Sequence, residues 1–243
     1  LGDVYKRQEL LLGLSASLDA DSGSKFAAQR EINKVLIVAI TSNRGLCGAF
    51  NSNILKEVSK LSNETYSNQE VSYLVIGKKA NDALSKTGQV IANESEVFDD
   101  LTFDNVAKIA ESIMDKFVVG EFDKVEIVYN KFKNAATQIV MTEQFLPIVP
   151  MEGEDNNVDY IFEPSKLEIV EQLIPKSLKT QLFKGVRDSF ASEHGARMTA
   201  MHKATDNATE LRDQLTLSYN KARQAAITNE ILEIVGGAEA LNN

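Results

Sequence analysis

The chain has 243 residues, of which 43% are hydrophobic and 25% charged, and its formal net charge is −9 at pH 7. A single cysteine, Cys47, excludes a disulfide framework and a multi-cysteine metal site. No apolar run approaches the roughly 18–20 residues that span a bilayer, and the acidic balance argues against a general nucleic-acid binder. We therefore expect a globular chain with no metal, no nucleic-acid partner and no direct membrane insertion.

The first residues do not look like the start of a native protein. The chain begins with Leu1 rather than Met, and residues 1–8 (LGDVYKRQ) are similar to the translated end of a sequencing adaptor. We interpret residues 1–8 as foreign and expect the native N-terminus to be missing.

Residues 31–163 alternate strands with helices and predict an α/β domain. The runs at 34–41 (KVLIVAIT) and 71–77 (VSYLVIG) are almost entirely apolar, which is typical of parallel strands buried on both faces. Acidic residues concentrate at 94–104 and 152–163, which we interpret as solvated loops. The predicted elements are strand 34–41, helix 51–61 with Asn51 or Ser52 as its N-cap, strand 71–77, helix 79–87, strand 90–93, helix 105–118 and two antiparallel strands, 124–132 and 138–147.

Residues 164–243 follow another pattern, in which apolar residues recur every three or four positions. This period predicts one long helix that starts near Pro164, is bent or broken at Pro175, and extends about 100 Å beyond it. Such a helix is too long to lie within the α/β domain, and its apolar stripe needs a partner, as in a coiled coil. The stripe consists of Leu167, Val170, Ile174, Leu178, Leu182, Val186 and Phe190, then Met198, Met201, Ala204 and Ala208, then Leu211, Leu215, Tyr219, Ala222, Ala226, Ile231 and Val235.

Two glycine-containing turns follow strands, but neither completes a phosphate-binding motif. The turn from Gly45 to Gly48 lacks the third glycine of G-x-G-x-x-G, and the turn at Gly77 lacks the other residues of a P-loop. No catalytic site is predicted. One hypothesis that remains open here is a nucleotide- or anion-binding regulatory module with a dimerising coiled-coil tail, in which residues 45–48 would bind the ligand.

Two segments are more distinctive than these patterns require. They are ITSNRGLCGAFNSNI, residues 40–54, and SEHGARMTAMHKATDNATELRDQLTLSYNKARQAAITNEILEIVGGAEAL, residues 192–241. With them the chain closely resembles, from about residue 9 to its end, the gamma subunits of rotary proton-translocating ATP synthases.

The resemblance implies a fold and a mechanical function. The fold is a small Rossmann-like, mostly parallel sheet domain, residues 31–163, and a long C-terminal helix, residues 164–243, that forms half of an antiparallel coiled coil. Residues 9–30 would be the remnant of the N-terminal helix with its linker. The implied function is that of a non-catalytic rotor shaft without a cofactor, which couples proton flow through the membrane ring to ATP synthesis or hydrolysis.

The resemblance also implies partners and a location. The partners are the alpha and beta subunits of the catalytic hexamer, the epsilon subunit and the c-subunit ring. As part of this complex the chain would lie peripherally at the cytoplasmic face of the bacterial inner membrane.

Five residues match positions with a role in the family. Arg223 and Gln224, in NKARQ, match positions that hydrogen-bond a loop of the catalytic beta subunit, and Thr228 and Glu230 match positions of the same region. Arg197, in ARM, matches a position important for coupling near the middle of the shaft. The resemblance therefore implies partner-binding roles for all five, whereas on sequence pattern alone they are solvated polar residues of a long helix.

Overall fold

The computed structural model describes residues 25–148 and 166–241 of the chain, and the side chains of residues 25–148 and 172–238. The foreign segment predicted at 1–8, the acidic stretch at 152–163 and the helix start predicted near Pro164 lie outside the described residues. Of the segment 9–30, only residues 25–30 are described, as a turn and an irregular stretch. By internal contacts the chain divides into two compact units, Leu1–Met198 and Thr199–Asn243.

The first unit is built on a five-stranded sheet with the strand order β3-β2-β1-β4-β5. Strands β1 to β4 are parallel, and β5 is antiparallel to β4, as the sequence predicts. The elements are β1 Lys34–Ile40, α1 Phe50–Lys60 with a π-helical turn Leu61–Thr65, β2 Glu70–Ile76, α2 Lys78–Leu84, β3 Gln89–Asn93 followed by a 3₁₀ turn Ser95–Phe98, α3 Phe103–Val119, β4 Lys124–Asn134, β5 Thr137–Leu146 and α4 Lys166–Leu241.

Strand β1 lies at the centre of the sheet and explains the layered architecture. Its apolar residues are fully buried, and alternate side chains point to opposite faces. Leu36 and Ile40 pack with α3 and the first part of α4, whereas Val35 and Ile37 pack with α1 and α2. Helices therefore cover both faces of a mostly parallel sheet, which confirms the predicted fold class.

Helix α1 begins differently from the prediction. It starts at Phe50 after Ala49, and no side chain caps it. Asn51 is not the N-cap because its amide is bonded to the turn that precedes the helix, where its Oδ1 accepts from the Ser42 backbone N–H at 3.0 Å. Ser52 is not the cap either, since its hydroxyl donates to the Ala49 carbonyl at 3.0 Å.

Helix α4 is continuous from Lys166 to Leu241, so the break expected at Pro175 is absent. Ile174 and Leu178, on either side of the proline, are both buried against the sheet. Their packing offsets the backbone hydrogen bond that a proline cannot donate. Leu182 and Val186 continue the same buried row, so the sheet itself covers this part of the apolar stripe.

Residues 201–238 of α4 belong to the second unit, and all their side chains are exposed. They include many large apolar residues, and most of these lie on one side up to Ala226 and on the other side from Ile227, with Leu217 as an exception. At 100° per residue, Leu211, Leu215, Tyr219, Ala222 and Ala226 lie within about 80° of the circumference. Ile227, Ile231, Leu232, Ile234 and Val235 lie within about 160° on the opposite side.

Gly77 joins β2 to α2 at a point where the backbone approaches Thr41 closely. Its φ is +120°, and a Cβ atom built there would lie 2.2 Å from the Thr41 carbonyl oxygen. Both the conformation and the contact require glycine.

We expect Gly77→Ala to lower the free energy of unfolding by roughly 3 kcal/mol or more, because the methyl group meets backbone atoms that cannot yield. Urea unfolding of the full chain measures this loss. Gly45→Ala is the matched control, since no atom lies within 4 Å of its Cβ position, and a change below about 1 kcal/mol is expected. Equal losses for the two variants would contradict this account.

Asp188 lies on α4, facing the strand pair β4–β5. Burial raises the pKa of its carboxyl group, and the Glu143 carboxylate raises it further, whereas Lys184 and Lys131 lower it in part. A raised folded-state pKa means that the ionised carboxylate costs the folded state free energy at neutral pH.

Asp188→Asn is therefore expected to raise the melting temperature at pH 7, by up to about 2 °C. The gain should be complete above the raised pKa and vanish as the pH falls below the ordinary value of 3.8, where the wild-type carboxyl is protonated in both states. Circular-dichroism melts between pH 3.5 and pH 7 measure this difference. Asp115→Asn, at an exposed position of α3, is the control, and a gain at Asp188 independent of pH would contradict the interpretation.

Candidate functional site

The two distinctive sequence segments meet in the structure. The first forms the end of β1, a turn at residues 42–48 and the start of α1, and the second begins in α4 at Ser192. The Ser192 hydroxyl donates to the Asn130 carbonyl at 3.0 Å, and the Asn130 side chain donates to the Phe50 carbonyl at 3.2 Å. Phe50 and Ala196 form a small buried cluster together with the cysteine of the turn. The two motifs therefore form one packed region.

Hydrogen bonds inside the turn fix its shape. Asn51 accepts from the Ser42 backbone N–H and donates through Nδ2 to the Ser42 hydroxyl at 2.8 Å and to the Cys47 sulfur at 3.2 Å. Cys47 is only 2% exposed. Its thiol is a packed, hydrogen-bonded group of the turn, without the exposure of a reactive cysteine.

The same region has backbone N–H groups where a phosphate loop would use them, but these groups already have partners. Lys78 N donates to the Asn43 side-chain oxygen at 3.0 Å, and Lys79 N donates to the Ser42 carbonyl at 3.2 Å. Gly77 N donates to the Ser95 hydroxyl at 3.2 Å. An anion at this edge of the sheet would have to displace these bonds, so the geometry does not favour the nucleotide- or anion-binding hypothesis.

Arg197 lies on α4 beside this turn, and its guanidinium is bonded within the chain. Nη1 forms an ion pair with Glu193 at 2.7 Å, and Nη2 donates to the carbonyls of Arg44 and Gly45, both at 3.3 Å. The resemblance identified Arg197 but missed Glu193. The i, i+4 spacing of a glutamate before an arginine was the available signal.

The other four predicted residues are exposed on the second unit. The Thr228 hydroxyl donates to the Gln224 carbonyl one turn earlier, at 2.8 Å. Neither Arg223 nor Glu230 forms an ion pair with a described residue. At 100° per residue, Arg223 and Glu230 lie about 20° apart, and Gln224 and Thr228 lie about 40° apart. The two pairs together span about 160° of the circumference, so all four residues occupy one half of the helix surface.

The described residues hold neither a helix long and apolar enough to cross a membrane nor a group of three potential metal-binding side chains.

Solved structures share this fold, in which a mostly parallel sheet is followed by one long helix. A chain of the mitochondrial ATP synthase of Euglena gracilis aligns with a TM-score of 0.67 at 22% identity, over 99% of this chain and 95% of that one. A chain from the central stalk and c-ring of the Tetrahymena thermophila enzyme aligns with a TM-score of 0.60 at 24% identity, over 81% and 85%.

Sequence comparison gives the family. A family model described as ATP synthase matches residues 4–241. The ATP synthase gamma chain of Flavobacterium psychrophilum is 71% identical over 238 residues, 97% of this chain and 83% of the relative. That of Cytophaga hutchinsonii is 51% identical, over 98% and 84%.

The chain belongs to the ATP synthase gamma-chain family. Its function is that of the central-stalk subunit of the rotary ATP synthase, as the resemblance implied. The gamma chain is non-catalytic, because the catalytic sites lie in the beta subunits.

Asn51→Ala should lower the free energy of unfolding by about 1–3 kcal/mol, because in a partly buried turn the Ser42 N–H loses its partner and the Ser42 hydroxyl loses its bond to Asn51 while it keeps its bond to the Arg44 carbonyl. Urea unfolding measures the loss. Ser52→Ala, one residue later with an exposed hydroxyl bond, is the control and should change it by less than about 0.5 kcal/mol. A negligible effect of Asn51→Ala would mean that the turn does not depend on this network.

Proposed function

We propose that residues 201–238 of this gamma-family chain contact the alpha and beta subunits of the catalytic hexamer. We further propose that its α/β unit contacts the epsilon subunit and the c-subunit ring, with the assembly at the cytoplasmic face of the bacterial inner membrane. The exposure of every side chain at 201–238, large apolar ones included, carries the proposal. Exposed apolar surface of this extent is typical of an interaction site.

Coupling through such a shaft requires that its contacts with the different conformations of a catalytic subunit differ in energy. A rotor shifts the conformation of a catalytic subunit only if it binds the alternative conformations with different free energies. The described helix is not the same on all sides, because most of its large apolar residues change side near residue 226 and four of its polar residues lie in one half of the surface there. These four are Arg223, Gln224, Thr228 and Glu230. Each orientation of the helix therefore offers a different set of contacts to a surrounding subunit.

Arg223 and Gln224 are the proposed contacts with a loop of the beta subunit. Arg223 is exposed and has no ion-pair partner among the described residues, so its guanidinium donors are available. Arginine recognises carboxylates through two parallel hydrogen bonds, which are stronger than bonds between neutral groups. Gln224 adds a neutral donor and acceptor beside it.

Thr228 and Glu230 extend the same proposed interface. Thr228 lies one turn after Gln224 and is bonded to its carbonyl. Glu230 lies on the same side of the helix as Arg223, two turns along. Arg197 belongs to the proposal as a residue needed for coupling, although its present bonds are all within the chain.

Arg223→Ala combined with Gln224→Ala should lower coupled ATP synthesis at least about tenfold, because the lost charge-assisted contact of Arg223 costs about 1–3 kcal/mol and the lost hydrogen bond of Gln224 adds to it. The chain, assembled with its cognate subunits in membrane vesicles, is assayed for synthesis driven by an imposed proton gradient. The folded state should be unaffected, since both side chains are exposed.

Arg212→Ala combined with Gln214→Ala is the matched control on the same helix, where Arg212 pairs with its neighbour Asp213. Synthesis and hydrolysis should remain near wild type in the control. Unchanged synthesis and hydrolysis in the Arg223 and Gln224 double variant would remove these residues from the interface.

A further inference from the structure

Leu46, at the tip of the turn at residues 42–48, has an unfavourable backbone conformation. Its φ is +62°, and among the described residues it is the only non-glycine residue with a positive φ. Its side chain is 77% exposed, so burial does not compensate for this conformation. A leucine in the left-handed region persists only when the surrounding structure determines its backbone.

The surrounding structure holds the chain on both sides of Leu46. On one side, Arg197 Nη2 donates to the carbonyls of Arg44 and Gly45. On the other side, Cys47 is buried against Phe50 and Ala196. Both anchors come from the same stretch of α4, so the turn is attached to that helix at two points.

The Arg197 side chain is itself positioned by Glu193. The two side chains are 22% and 11% exposed, and their ion pair at 2.7 Å lies one helical turn apart on α4. A carboxylate that is largely shielded from water orients a guanidinium more firmly than an exposed one. The planar guanidinium then bonds Glu193 through one nitrogen and both carbonyls through another, which a lysine ammonium cannot reproduce in this geometry.

We propose that Glu193 and Arg197 form a latch that fixes the turn at residues 42–48 to α4, so that the turn and the helix rotate as one rigid body. Arg197 is a positioning residue in this proposal, and it serves coupling from inside the chain rather than by touching another subunit. The compact unit ends at Met198, the residue after Arg197, so the latch holds α4 in its last turn within that unit. The proposal rests on the proposed function of this chain as a coupling shaft.

Cys47 reports on the latch directly, because it is the only cysteine of the chain and is buried beside the held carbonyls. The rate at which 5,5′-dithiobis(2-nitrobenzoate) labels the full chain measures how often the turn opens. Arg197→Ala should label at least ten times faster than wild type. Arg197→Lys and Glu193→Gln should lie between the two, and Arg212→Ala, at an exposed pair on the same helix, should match wild type.

The second arm measures coupling in the complex assembled with its cognate subunits. All three latch variants should keep at least half of the ATP hydrolysis rate but pump severalfold fewer protons per ATP hydrolysed. Arg197→Lys and Glu193→Gln decide the result if Arg197→Ala fails to fold, since both retain most of the local packing.

The two arms separate this proposal from the proposed function. Wild-type labelling in every latch variant overturns the latch, whatever the coupling. Coupling lost in the Arg197 variants alone, with unchanged labelling and a normal Glu193→Gln complex, overturns it in favour of a direct partner contact. Faster labelling with normal coupling overturns the role in rotation. Failure of the Arg223 and Gln224 variants to affect synthesis tests only the proposed function and leaves the labelling result intact.

Discussion

The structure depends on the packing of α4 against the parallel sheet. Four apolar side chains of α4 are buried in the same core as side chains of strand β1: Ile174, Leu178, Leu182 and Val186. Each of them contributes roughly 1.5–3 kcal/mol on burial. This row holds the helix through Pro175, where an isolated helix would be weakest. Because the same helix then passes the turn at residues 42–48, the position of Arg197 beside that turn follows from the packing of the sheet.

The polar groups of the molecule divide into two kinds, and the division explains how a protein without an active site acts. Around the turn, amides, hydroxyls and the cysteine form hydrogen bonds with one another. These bonds fix the conformation of the turn and leave few polar groups for chemistry. On the second unit, Arg223 and Glu230 keep their charges free of described ion-pair partners. The coupling that we propose needs both kinds, since stiffness would transmit a rotation and available charges would give the rotating surface its differences in contact energy.

The sequence predicted the architecture well because the signals were local. The apolar runs of β1 and β2 and the period of α4 each follow from burial of one element, and the strand pair β4–β5 follows from its short connection. The cap of α1 was wrong because Asn51 bonds to a turn rather than to its own helix. The break, one of the two outcomes predicted at Pro175, is absent because packing contributed by the distant sheet keeps the helix continuous. The bonds of Arg197 to the Arg44 and Gly45 carbonyls join residues more than 150 positions apart, for which no periodic signal exists.

The change of side in the apolar residues of α4 has a consequence for how such a helix is covered. Between Leu211 and Ala226 one straight neighbour lying along a narrow stripe would cover the large apolar residues other than Leu217, which lies on the other side. From Ile227 to Val235 the apolar residues spread over about 160° on the other side, and no single neighbour reaches both regions without crossing the helix. The final turns instead suit a surface that wraps around nearly half of the helix, because their apolar side chains point outward over that range of angles. The surface that a neighbour meets on this helix therefore changes with height along the axis as well as with angle around it.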